Sequence, residues 1–173
     1  MHSAHGDWTH EKKIARIRGV TLRGPSDQAH NKQIVIEGGN YANTTPFLSL
    51  PEDWCAAPRG FETHPHRGMQ TVTFVVDGEL EHRDHTGGHG VLREGDVQWM
   101  TAGRGAMHSE MPHEYDMAHT LQLWLNLPAR LKAVAARYIN QTTDQVPVRR
   151  EDGVDVRIYA GRPGSADTIF AKS

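Results

Sequence analysis

The hydrophobic pattern of the chain is that of short strands separated by turns. Residues 14–22 alternate apolar and basic side chains, which predicts a first strand with Arg16 and Arg18 on its wet face. Residues 24–27 carry turn chemistry, and residues 33–37 predict a strand closed by Gly38 and Gly39. A short apolar run at 46–50 leads into 51–59, where Pro, Asp and Ala residues predict an irregular loop. Residues 71–76 are rich in β-branched and aromatic side chains and run into Asp77 and Gly78, which predicts a strand entering a tight turn. A second strand follows at 79–84, although it alternates poorly, and Thr86, Gly87 and Gly88 turn the chain after it. Gly95 and Asp96 precede a strand at 97–100, and Gly103, Arg104 and Gly105 bend the chain again. The last strand of this run ends at Leu127 and Pro128, and residues 129–138 have the preferences of a short helix. Beyond Pro147, residues 154–161 alternate as one more strand. The fold class this predicts is all-β, a small β-barrel with a short helix near the C-terminus.

Length and charge narrow the picture. At 173 residues the chain suits one domain with a sizeable core, and a second full domain would be a squeeze. A net charge of −2 with mixed signs gives no footprint for nucleic acid or for an anionic membrane. No apolar run approaches the ~20 residues of a membrane span, and residues 1–13, with His2, His5 and His10 in a polar context, are expected as a disordered tail. The single cysteine, Cys55, fits a reducing compartment, so a cytoplasmic location is expected.

The candidate chemistry lies between residues 60 and 111. On an extended strand, residues i and i+2 share a face, so His64 projects with His66 and His108 projects with Glu110. Three imidazoles and one carboxylate lack thiolate softness and leave positions open on an octahedral ion, which favours Fe(II), Mn or Ni over structural zinc. The alternative reading of these four residues is a hydrogen-bonded core cluster. His82, His85 and His89 form a rival set, read here as the solvated part of a glycine-rich hairpin. His113 and His119 are placed in a loop at the mouth of the pocket. Some of Met69, Phe74, Trp99, Met100, Met107 and Trp124 are expected to line the pocket, and most to fill the core.

Three segments carry a resemblance: His64-Pro65-His66-Arg67-Gly68, the run from Gly95 to Gly105, and His108-Ser109-Glu110-Met111. Together they closely resemble the signature of the pirin family in the cupin superfamily, over roughly residues 30 to 140. The resemblance implies a double-stranded β-helix, or jelly roll, with residues 14–145 as the cupin domain and 146–173 as an extension similar to the start of a second one. It implies iron held by His64, His66, His108 and Glu110, with Cu, Co and Zn added to the alternatives. It further implies dioxygenation of a flavonol, with Glu110 accepting the substrate hydroxyl proton. The competing implication is a redox-responsive, iron-dependent regulator or transcription cofactor acting through protein partners. An edge strand at 154–161 makes a homodimer the expected assembly. One departure is that Met69-Gln70-Thr71 stands where the family usually has Phe-Glu-Thr, which places Gln70 beside the ligands as an amide rather than a base.

Overall fold

In chain order the strands are β1 (His30–Ile36), β2 (Phe47–Ala56), β3 (Phe61–His66), β4 (Met69–Asp84), β5 (His89–Arg93) and β6 (Val97–Thr101). They continue with β7 (Ala106–Pro112), β8 (Met117–Asn126), β9 (Arg137–Gln141), β10 (Val148–Glu151) and β11 (Val154–Arg157). The computed structural model from which they are taken describes residues 19, 30–114, 117–151 and 153–161. The expected tail at 1–13, the turn at 24–27 and, apart from Gly19, the strand at 14–22 lie outside the described residues.

Strand β4 organises the arrangement, because it belongs to two layers in turn. Its first half, Met69 to Gly78, pairs with β8 on one side and β6 on the other, extending the order β1-β2-β8-β4-β6-β9. Its second half, Glu79 to Asp84, pairs with β5 and β7, and β7 in turn pairs with β3. All of these pairings are antiparallel, as a jelly roll requires.

The expected turn at Asp77 and Gly78 is not a turn. It is a bend within one strand, marked by a register shift against β8 between Val75 and Asp77. Before it, Met69, Thr71, Thr73 and Val75 are buried; after it, Leu80 and His82 are. One irregularity therefore moves the inward face from odd to even residues, and 79–84 shows no clear apolar period because two of its inward side chains, His82 and Asp84, are polar. Gly78 sits at φ +77°, and a Cβ there would lie 1.8 Å from the Met117 carbonyl oxygen.

Two other expectations are corrected. Residues 51–56 are not loop but the second half of β2, with Pro51, Asp53 and Cys55 alternately buried. The charged residue hid this period, since Asp53 faces inward with His30 Nε2 at 3.0 Å and Lys32 Nζ at 3.7 Å. The helix expected over 129–138 shrinks to one 3-10 turn, Ala129–Leu131, followed by β9. Helix propensity in so short a segment is overridden by the open edge of β6, where Tyr138 pairs with Met100 and Ile139 with Trp99.

Met69, Met100, Ala102 and Ala106 form one buried cluster, against which Leu48, Trp124, Ala136 and Tyr138 pack. Val75, Leu80, Leu92 and Ala118 form a second. These elements belong to one compact unit, Val20–Gln145. Strands β10 and β11 form an antiparallel hairpin in the other unit, and the strand expected at 154–161 supplies β11.

Candidate metal centre

Strand pairing brings the sequence-distant motifs together. His64 on β3 lies opposite His108 on β7, and His66 lies opposite Ala106. Residues that face each other across a ladder share a face of the sheet, so His64, His66, His108 and Glu110 all project from one side. The same row logic extends to β4, where Asp84 lies opposite His108 and His82 opposite Glu110. One ring nitrogen from each of His64, His66 and His108 falls within 4.8 Å of the other two. Glu110 stands beside this tight set, its Oε2 4.0 Å from His108 Nε2.

The donor set tests well against a transition metal. His66 Nε2 and His108 Nε2 are buried and have no hydrogen-bond partner among the described residues. An orphaned buried imidazole nitrogen costs about 1–3 kcal/mol, a penalty that coordination removes. Burial, reinforced by the neighbouring His108 and His64, lowers the His66 pKa to about 4. Burial, with His64 and His82 adding to it, lowers that of His108 to about 3. At neutral pH both rings are thus uncharged, with lone pairs available. The His64 Nδ1–H donates to the Glu62 carbonyl at 2.7 Å, which leaves Nε2 as its lone-pair nitrogen.

The buried Glu110 carboxylate is held from the other layer. Thr73 Oγ1 donates to Oε1 at 3.2 Å, and Gln122 Nε2 approaches Oε1 and Oε2 at 3.0 and 2.8 Å. The Trp124 indole N–H donates to Gln122 Oε1 at 2.7 Å. That bond fixes the amide so that its donor end faces Glu110, an orientation suited to an ionised carboxylate.

Sequence reasoning missed Gln122 and Thr73, because nothing along the chain marks them. Gln70, expected beside the ligands, instead donates to Thr101 Oγ1 at 3.1 Å. The rival histidine set is dispersed: His85 and His89 are exposed, while His82 is 3% exposed and turned inward. His113 and His119 do not line the pocket. His119 bonds Glu52 at 2.8 Å and stacks on Trp54, and His113 lies beside Glu79 and Glu114.

A pocket of about 230 Å³ opens over this centre. His64, Glu110 and Gln122 supply polar lining, and Phe61, Leu80 and Trp124 supply apolar walls. Of the large apolar residues singled out in the sequence, Trp124 is the one that lines it, whereas Met69 and Met100 fill the core.

Cys55 is 3% exposed, and burial, followed by the negative charges of Asp53 and Glu110, pushes its thiol up to about 12. It stays a protonated, sheltered thiol at pH 8. Iodoacetamide should leave the folded protein unlabelled and modify Cys55 fully once guanidinium has unfolded it. Rapid labelling of the folded chain would contradict this.

Strands of two layers, sharing β4 and closing over a three-histidine site, define a metal-binding protein of the cupin class. The chain belongs to the pirin family, whose model, described as Pirin, matches residues 28–125. A pirin-like protein of Solanum lycopersicum is 44% identical over 132 residues, covering 76% of this chain and 45% of that protein. The chain thus spans about half the length of the curated relatives it matches. Among solved structures, GK1651 from Geobacillus kaustophilus is similar at TM-score 0.83 and 42% identity, covering 91% of this chain and 64% of that one. Quercetin 2,3-dioxygenase from Acinetobacter baumannii is similar at TM-score 0.67 and 31% identity, covering 86% and 58%. The bacterial pirin YhhW from Escherichia coli, solved in complex with nickel(II), is similar at TM-score 0.59 and 28% identity, covering 72% and 54%.

Among the described residues, no helix is long and apolar enough to cross a membrane.

Proposed function

We propose that this chain is a mononuclear metal cupin that oxygenates a flavonol-type substrate, with Fe(II) held by His64, His66, His108 and Glu110. The observation that carries the reading is the pair of buried, partnerless Nε2 atoms on His66 and His108, converging with His64 beneath a pocket with apolar walls. The likeness to quercetin 2,3-dioxygenase from Acinetobacter baumannii supports the substrate class, and the nickel(II) complex of YhhW supports a metal at such a site.

Each residue then has a part. The bound ion would supply Lewis acidity and a redox couple for reaction with dioxygen. Trp124 and Phe61 offer aromatic faces to a planar ligand, and Leu80 helps to keep water from the polar end. Glu110 is aligned to accept a hydroxyl proton from the substrate, and Gln122 and Thr73 keep its oxygens in place while it does so.

Oxygen uptake tests the reading directly. Protein loaded with Fe(II) should consume dioxygen when quercetin is added, above the rate of the same Fe(II) and quercetin without protein. Tight iron binding with no added uptake would remove the enzyme and leave the iron-dependent regulator.

A further inference from the structure

Resting on the metal-binding reading above, we propose that His82, backed by Asp84, is a positioning residue that keeps the His108 ring proton on Nδ1. His108 Nε2 is thereby held as a lone-pair donor facing the metal centre. The two rings are tilted at 54° to each other, Nδ1 to Nδ1 at 3.4 Å, and their side chains are 3% and 0% exposed. Between two neutral imidazoles in that contact, one nitrogen carries the proton and the other accepts it.

Asp84 decides which. Its Oδ1 accepts from Thr86 N at 2.6 Å, Thr86 Oγ1 at 2.5 Å and Gly88 N at 3.1 Å, which anchors the carboxylate in the turn after β4. Its Oδ2 lies 3.8 Å from His82 Nε2. A carboxylate oxygen at that distance favours an N–H over a lone pair on His82 Nε2. With its proton on Nε2, His82 presents Nδ1 as an acceptor, and His108 must donate from its own Nδ1. The opposite assignment would aim the His82 Nε2 lone pair at a carboxylate and place a proton on His108 Nε2, where the ligand lone pair is needed.

The fold supports this alignment. Asp84 and His82 sit across the ladder from His108 and Glu110, and the bend at Gly78 turns both inward. The Tyr138 ring packs on His82 with centroids 4.7 Å apart, which limits rotation of the imidazole. His64 has the same arrangement from a simpler source, with the Glu62 carbonyl taking the place of His82. An outer partner of this kind is what fixes tautomer and ring orientation at metal-ligating histidines generally.

The test begins with the metal-free protein at pH 7.5. Long-range ¹H–¹⁵N correlation of the imidazole rings should show the proton on Nδ1 of His108 and on Nε2 of His82. The reverse assignment would overturn the proposal. Nickel(II) affinity, measured by chelator competition, supplies the second readout. His82→Phe should weaken binding by about 10–100-fold. His82→Asn should bring it back to within about threefold, because the amide oxygen stands where Nδ1 stood and can accept the same proton. Wild-type affinity in His82→Phe would overturn the idea, as would an Asn variant as weak as Phe. If His82→Phe does not fold, Asp84→Asn decides in its place: a His108 proton shared between both nitrogens supports the relay, and an unchanged spectrum removes it. Should the native chain bind no nickel(II), the metal-binding reading fails, and the ring assignments still settle the tautomer.

Discussion

Replacing His108 with Ala is expected to strip the centre of metal, and by more than any other single change to a side chain. His108 is the hub of the cluster: its ring lies 4.5 Å from that of His64, 5.0 Å from His66 and 5.3 Å from His82. Loss of an outer partner at a metal site typically weakens binding ~10–100-fold, and loss of a ligand removes a bond rather than its alignment, so the decrease should exceed 100-fold or so. The truncation also leaves a small buried void facing Glu110, whose carboxylate then has one cation ligand fewer beside it. The thermal midpoint of the metal-free variant should change far less than its metal content, because the orphaned Nε2 disappears with the ring. Metal analysis after dialysis checks this. Full occupancy in His108→Ala would mean that the ion is held elsewhere.

Replacing Gly78 with Ala should give the largest loss of stability. The added methyl carbon would sit 1.8 Å from the Met117 carbonyl oxygen, far inside contact distance, and the atom it meets is backbone that cannot rotate away. The residue would also have to hold φ +77°, a region that side-chain-bearing residues enter at a cost of roughly 1–3 kcal/mol. With both effects acting, a loss of about 3 kcal/mol or more is expected, at the upper end for single substitutions. The damage would reach the metal centre, because the bend at Gly78 sets the inward face of the segment that pairs with β7. Urea unfolding with a metal assay at each step would show it: the midpoint should fall, and metal should be lost at lower urea than in the native chain. An unchanged midpoint would show that β8 can move aside without cost.

The three-histidine cluster, with Glu110 beside it, was legible in the sequence because it obeys a local rule. His64 and His66, and His108 and Glu110, stand two apart on segments that do form strands, so each pair shares a face wherever its strand goes. The strands at 33–37, 71–76 and 97–100 were legible for the same reason, as were the turns rich in glycine. Reading failed where the local pattern was altered by pairing. Residues 51–56 hide a strand behind a buried aspartate whose partners, His30 and Lys32, come from β1. Residues 137–141 became a strand because β6 had an open edge, against their helical preference.

His82 marks the boundary between the two kinds of knowledge. Leu80 is the one apolar residue between Glu79 and Asp84, so no local period shows that Leu80, His82 and Asp84 rather than Glu79, Glu81 and Arg83 face inward. Only the register shift against β8 assigns the odd residues before Gly78 and the even residues after it to the interior. Gln122 and Thr73 are likewise ordinary strand residues until the layers are paired, when they fall within hydrogen-bonding distance of Glu110. The sequence by itself determined which residues could bind a metal, since chemistry and a two-residue period are local properties. The tertiary structure alone decided which groups hold those side chains in place, because such partners are chosen by strand register across long loops, and register is a property of the whole sheet.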